Sequence, residues 1–482
     1  MRTLDAMRRW IPWVATMAAA AAALLSLRAW LRDVPPPPEP RRPTAEGSLA
    51  EARVAHSNAV VNLAGKFREF SGVIVSPSSA WPGFRGLGRD NRAAWDGVLQ
   101  ETWPAEGPRK LWQLQVGEGH AAPAVRNGRV YLLDYDEARE GDVLRCFALD
   151  SGQEIWQRFY QVRTKRNHGI SRTIPAVDDA CVVSLGPQCH VLCVDAATGA
   201  FRWGMNLVER YGTKVPLWWA GQCPLLDAGE AVLAPAGRDA LLVGVDIATG
   251  KVNWETPNPD KWEMSHSSVM VLTAAGVRQF VYAAVGGIAG VAADGPQRGQ
   301  LLWRTKVFAP SVVAPSPVPL SDNRFFMTAG YGSGGAMFRV AQSNGQWQAE
   351  LLFRTDRRTF GCEQQTPVLR DGLLYTVLPN DAGDHRQEFA CMNLEGKVLW
   401  TSGGDLRFGL GPYVAVDSRF LVLDDTGVLH LLSADAAGCH QLAHADLFNG
   451  TGRDAWGPLA FVDGLLLLRD SKRLVCLDLR GK

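Results

Sequence analysis

The stretch that most constrains this chain is VLCVDAATGAFRW, from Val191 to Trp203, because versions of it recur at nearly constant spacing. Alternation around Leu192 and Val194 reads as a short strand, Asp195 to Gly199 as a tight turn, and Ala200 to Trp203 as the start of a second strand. Asp195 can accept hydrogen bonds from amides ahead of it, and Gly199 can adopt the positive φ that the turn demands. Related hairpins end at Trp156, Trp254, Trp303 and Trp400; a worn copy ends at Phe353, and another, LLSADAAGCHQLAHA, has no Trp. The aromatic positions from 156 to 400 are spaced by 47, 51, 49, 50 and 47 residues. Such a period, filled with short strands and glycine turns, predicts an all-β fold, a β-propeller with one four-stranded blade per repeat.

A second signal precedes each hairpin: a Pro, an apolar pair and a glycine turn, as in Pro123 to Tyr131 and Pro367 to Tyr375, which supplies the two inner strands. Blade starts at Pro123, Pro175, Pro224, Val269, Pro317, Pro367, Pro412 and Pro458 give eight blades. The last segment stops at LVCLDLRGK where other repeats continue to a Trp-bearing outer strand, and Arg109 to Gln113 is an orphan strand of that kind. Pairing the two would close the ring and remove exposed sheet edges. Trp156, Trp203, Trp254, Trp303 and Trp400 are then packing residues between outer strands and neighbouring blades.

The chain of 482 residues is 21% charged with a net charge of +1, which gives no electrostatic footprint for nucleic acid. The N-terminus carries Arg2, Arg8 and Arg9, then an uncharged run from Trp10 to Leu27 near the lower limit for a membrane span. The flanking charge predicts a signal-anchor over residues 1–33, at the inner membrane with the propeller on the periplasmic side, a cleaved signal peptide being the alternative. Residues 34–80 follow as a linker and lead-in, opening on the stiff spacer VPPPPEPRRP. Leu49, Val54, Val60, Val61, Leu63 and Phe67 could line a short helix there, and a partly ordered lead-in is the preferred reading.

Residues 81–482 carry WPGFRGLGRDN and the D-x-x-T-G-x-x-x-W hairpins, and this part is similar to the pyrroloquinoline-quinone-like (PQQ-like) repeat β-propellers, notably exported bacterial members beginning Trp-Pro-x-Phe-Arg-Gly. The resemblance implies a quinoprotein-like propeller. It is poorly specific for function, since the family holds both quinoprotein dehydrogenases and non-enzymatic scaffolds such as the BamB-type propellers of outer-membrane assembly.

Nine cysteines without a regular framework argue against a disulfide scaffold. Cys146 and Cys391 share one repeat position, and Cys193 and Cys476 share another; all four read as small buried residues. Cys189 and Cys193 lie too far apart along a strand to form a metal pair.

Propellers bind at the mouth of the central channel, fed by the loops entering each innermost strand. Those loops supply His120, Arg172, Trp219, His266, Glu363, Gln364, Arg407 and Trp456 as a binding ring, with Glu118, His168, Trp218, Trp262, Arg453 and Asp454 beside them. Trp and Arg dominate contact energies, so such a ring suits a protein or envelope partner. No adjacent Cys-Cys pair and no C-x-x-C-H motif is present. Nothing fixes a carboxylate set for a quinone-bound calcium, although Glu363 with Asp381 or Asp384 is conceivable. The expectation is therefore a monomeric, membrane-anchored, non-catalytic binding propeller without cofactor or metal, the alternative being a quinoprotein dehydrogenase.

Overall fold

The computed structural model describes Ser26 and residues 60–449 and 452–481. Residues 59–482 form one compact unit of eight sheets, each built on four antiparallel strands and arranged as a propeller. Blade 2 shows the repeat: Ala176–Val177, Cys181–Leu185, His190–Asp195 and Phe201–Asn206 pair in sequence order from the innermost strand outward. Its hairpin matches the sequence reading, with the Asp195 carboxylate accepting from the amides of Ala197 and Thr198 and from the Thr198 hydroxyl. Blades 3 to 6 repeat the order, and a one-turn helix, Leu207–Tyr211, capped by Asn206, bridges blades 2 and 3.

Closure is as the chain ends imply. Arg109–Gln115 pairs antiparallel with Arg473–Asp478, setting Trp112 opposite Cys476 and completing blade 8 as its outer strand. The ring is therefore sealed by strands from the two ends of the propeller segment, and blade 8 has the same four strands as its neighbours.

The hairpin aromatic locks adjacent blades together. Each of Trp112, Trp156, Trp203, Trp254 and Phe353 lies over the turn glycine of the next blade, at Gly152, Gly199, Gly250, Gly299 and Gly396 respectively. At Gly250, whose φ is 73°, a Cβ would stand 2.6 Å from Cγ of Trp203. Glycine is needed there both for the backbone and for the ring's close approach.

The same registers revise the cysteine reading. Cys146, Cys193, Cys391 and Cys476 occupy one position, each opposite its blade's Trp beside a β-bulge, where blades 3 and 4 have Gly244 and Gly290. The sequence assigned them to two positions, but the bulge falls at the same place beside all four cysteines, so the register gives them one. All four are fully buried and free. Where the facing residue is Gly, the indole N–H bonds within its own blade, Trp254 to Glu230 at 2.8 Å and Trp303 to Gln279 at 2.6 Å. Where it is Cys, the indole of Trp112, Trp203 or Trp400 donates to a carbonyl of the next blade, at Leu149, Ile247 or Asp435. Trp156 also faces Cys, but its buried indole N–H has no partner.

The lead-in differs from a helix over its described part. Lys66–Glu69 is a fifth strand on blade 1, pairing with Glu154–Gln161 so that Glu69 faces Trp156. Leu63 packs on Gly204, whereas Val60 is 84% exposed, so no single apolar helical face exists. The expected membrane segment, residues 10–27, lies outside the described residues apart from Ser26, and among those described no helix is long and apolar enough to cross a membrane.

Residues 81–95 do what neither repeat nor linker does: they run across the propeller axis. Trp81 bridges Val125 of blade 1, and the Pro82 carbonyl accepts from Val177 of blade 2. Arg89 donates to the Pro224 and Val269 carbonyls of blades 3 and 4, and Arg85 to those of Thr366 and Pro367 in blade 6. Arg92–Ala93 then adds in parallel to Tyr413–Val416, the innermost strand of blade 7. Residues 81–95, opening on the Trp-Pro-x-Phe-Arg-Gly motif, thus form a plug that Arg85 and Arg89 fasten to carbonyls at the innermost strands.

Replacing Trp203 by Ala should lower the unfolding free energy by about 3–5 kcal/mol in denaturant melts, because it empties an interblade site that the glycine turn cannot refill. A chain beginning at Ala59 should melt with the full-length protein, whereas one beginning at Gly97 keeps the closing strand, loses the plug and should melt at least about 5 °C lower. Equal melting temperatures would show that the plug contributes nothing to stability.

Candidate binding cavity at the propeller mouth

A cavity of about 410 Å³ lies on the axis. All eight junctions between blades supply lining: His120; His168 and Arg172; Trp218 and Cys223; His266; Val312; Glu363 and Gln364; Leu410; and Trp456. Tyr331 and Asn380 join from loops within blades 5 and 6, and Phe84, Arg85 and Asn91 of the plug also line it.

The residues preceding the blade starts hold this frame together. The amide of Ile174 donates to Cys223 Sγ at 3.2 Å, that of Cys223 to Ser268 Oγ at 3.0 Å, that of Ser268 to Ser316 Oγ at 2.9 Å, and that of Ser316 to Thr366 Oγ1 at 2.9 Å. These four bonds join blades 2 to 6 in succession, each amide ahead of an innermost strand donating to a side chain of the next blade. Around blades 8 and 1 the equivalent residues are Gly457 and Ala122, and Arg469 takes over. Fully buried, it donates to the carbonyls of Ala121, Gly117, Asp470 and Ser471. Buried polar groups are thus paired across blade boundaries, which makes the mouth a rigid ring.

Of the eight ring candidates, six line one cavity: His120, Arg172, His266, Glu363, Gln364 and Trp456. Two do not. Trp219 is 5% exposed and packs beneath the mouth while its neighbour Trp218 faces the cavity. Arg407 donates to the carbonyls of Gly404 and Asp384 and pairs with Glu388 at 3.5 Å, staying in the loop between blades 6 and 7. The sequence also passed over Phe84, Arg85, Asn91 and Tyr331. The plug motif was visible as a cluster of Gly, Arg and Asn, but only as a family mark; Tyr331 lies outside the loops that lead into innermost strands.

The electrostatics follow from burial. Arg172 donates through Nε to the Trp218 carbonyl at 2.6 Å and through Nη2 to the Asn167 and His168 carbonyls. Desolvation pulls its pKa down to about 10, as it does for Arg85. His120 contacts the His168 carbonyl through Nε2 at 3.1 Å, which places its proton on that nitrogen and leaves the buried Nδ1 lone pair without a partner. Burial first, then the Arg172 charge, pulls His120 down to about 3 and His266 to about 4. Both rings are neutral at physiological pH. Burial, with Asp381 nearby, raises the pKa of Glu363, whose Oε2 accepts from the Asn380 amide at 3.3 Å.

Aromatic walls complete the site. Trp218 and Tyr331 stack with centroids 6.2 Å apart and planes 11° apart, and His120 lies 5.0 Å from Trp456. Among the described residues no group of three or more His, Cys, Asp or Glu is placed to hold a metal ion.

Because both histidines have folded pKa values below that of an unfolded imidazole, folding favours their neutral forms. Stability should be full above about pH 6.5 and fall progressively toward pH 4 as the unfolded chain takes up protons. His266→Gln should flatten that acid limb in urea melts run at each pH; an unchanged limb would show that the ring titrates normally.

Comparison with curated protein sequences gives no match. Among solved structures, BamB from Moraxella catarrhalis superposes with a TM-score of 0.52 at 15% identity, covering 77% of this chain and 99% of that one. A europium-containing methanol dehydrogenase gives 0.57 at 12% identity over 84% and 90%, and a quinohemoprotein alcohol dehydrogenase from Comamonas testosteroni 0.53 at 11% over 84% and 81%. At these identities the likeness is one of fold. The family model described as outer membrane protein assembly factor BamB matches residues 139–394, more than half of the sequence, and the chain therefore belongs to that family of PQQ-like repeat β-propellers.

Proposed function

We propose that this chain is a non-catalytic binding module of the cell envelope that takes a protein or other envelope partner at the propeller mouth. The observation that carries the reading is the convergence of all eight blade junctions on one aromatic and arginine-bearing cavity backed by the plug. Such anchors supply most of the energy at binding surfaces. Residues 10–27 act as a single-pass anchor in the inner membrane, residues 34–43 as a stiff spacer, and the propeller, residues 81–482 with the strand ahead of it, works on the periplasmic side. Membership of the BamB family supports an interaction role.

The quinoprotein dehydrogenase is the second reading, favoured by likeness to the two dehydrogenase structures. The donor set does not fit it. Calcium and lanthanides are hard cations that take several oxygen donors, usually more than one carboxylate. The cavity lining offers Glu363 alone, and Asp381 is paired with Arg357 at 3.7 Å. The chain also has no Cys-Cys pair.

Affinity purification of the intact chain from its own membranes identifies the partner. Replacing Arg172, Trp218 and His266 together should abolish capture, and Trp218→Leu alone, which removes no hydrogen bond from the frame, should weaken it, since truncating interface anchors typically costs about 2 kcal/mol or more each. Capture that survives the triple change places the partner elsewhere. Protease added to intact spheroplasts should degrade the propeller; full protection would overturn the topology. Purified protein given quinone and calcium should show neither stoichiometric quinone retention nor dye-linked alcohol oxidation, and either result would bring the dehydrogenase reading to the front.

A further inference from the structure

The cavity holds more positive charge than its own carboxyl group offsets. Arg85 and Arg172 both line it, and the acceptors around both guanidiniums are backbone carbonyls. A guanidinium has five N–H groups. Arg172 uses Nε and both hydrogens of Nη2, leaving the two on Nη1; Arg85 uses all but one, which is also on Nη1. Buried charges in folded proteins are ordinarily paired, and carbonyl dipoles do not neutralise them. Glu363 is the one carboxylate in the lining, so two guanidiniums face one carboxyl group, and His120 and His266 are neutral. The balance leaves room for a single negative charge.

The shape of the free donors and the walls narrows the class. Nε and Nη2 of Arg172, the edge that would grip a carboxylate with two parallel bonds, are taken by carbonyls, so an anion meets the two diverging N–H groups of Nη1 through a single charge-assisted hydrogen bond. Trp218 and Tyr331, brought together from blades far apart in sequence, stack with planes 11° apart, so a flat ring can align parallel to both. A volume of about 410 Å³ is near the small end of ligand cavities.

We propose that the cavity is a carboxylate-recognition site, taking an aromatic monoacid whose carboxylate meets Nη1 of Arg172 and whose ring lies against Trp218 and Tyr331. This rests on the reading of the mouth as a binding site and names what enters it. The same chemistry is offered by a free aromatic acid and by the C-terminus of a polypeptide ending in an aromatic residue.

The test uses the full-length chain, with binding followed by tryptophan fluorescence and calorimetry. The probes are 2-naphthoate against 2-naphthamide, and a tetrapeptide ending in Phe with a free or an amidated terminus. Both acids should bind at least tenfold more tightly than their amides. Arg172→Gln should erase that preference and Arg172→Lys should restore part of it, whereas Trp218→Leu should weaken acid and amide alike. The tighter of the two acids identifies the source as a small molecule or a chain terminus. Equal affinity of acid and amide, a preference that survives in Arg172→Gln, or no binding of any probe overturns the assignment. A chain that captures its partner through the mouth yet ignores the charge of the probe overturns this inference alone and leaves the partner reading standing.

Discussion

An aromatic ring laid over a glycine turn is the contact on which this propeller depends. A four-stranded blade cannot bury both of its faces alone, so a ring of blades is stable only if each interface excludes water. At five of the eight interfaces the outer strand of one blade supplies a flat side chain and the next blade's turn supplies a glycine bare enough to receive it, as with Trp156 on Gly199 and Trp203 on Gly250. Opposite glycine the indole N–H bonds within the blade, and opposite cysteine it bonds to the neighbouring blade at Trp112, Trp203 and Trp400 but not at Trp156. The four cysteines opposite Trp are therefore volume choices in a packed interface, and their thiols are inert there: burial raises the pKa of Cys146, Cys391 and Cys476.

Outer locks alone would leave an open bore. Two further devices act at the centre: the amide-to-side-chain bonds that step from Ile174 to Thr366, and the plug bearing Arg85 and Arg89. The first fixes the spacing of the innermost strands, and the second turns the upper bore into a cavity with its own charge. Preorganisation follows, because the lining side chains stand on a frame whose backbone groups are already bonded. A ligand entering such a site pays little to order it.

The repeat was legible because each blade solves the same packing problem with the same residue types, so Asp, Gly and Trp recur with the period of the structure. Closure was legible for the same reason: a strand missing at Asp478 and a spare one at Trp112 are complementary deviations from one pattern. The plug was not. Its contacts run from side chains to backbone carbonyls hundreds of residues away, and a carbonyl leaves no trace of its use in the sequence. The choice of Trp219 over Trp218 failed because adjacent residues in a loop point in opposite directions and composition does not say which faces the axis. The Lys66–Glu69 strand was hidden by its own composition, since an added edge strand with four exposed residues has no alternation to read.

The pairing of Arg109–Gln115 with Arg473–Asp478 also sets an order of events in time. A chain made from its N-terminus must hold that strand unpaired until almost the whole propeller has emerged, and the entropy of closing so long a loop is met only at the end. The plug shares this timing, for its anchors in blades 6 and 7 also come late. Before then the early blades present one open flank and an empty centre. The axial cavity, whose lining runs from Phe84 to Pro458, therefore comes into existence only with the finished ring, so binding at the mouth reports on complete synthesis as well as on affinity.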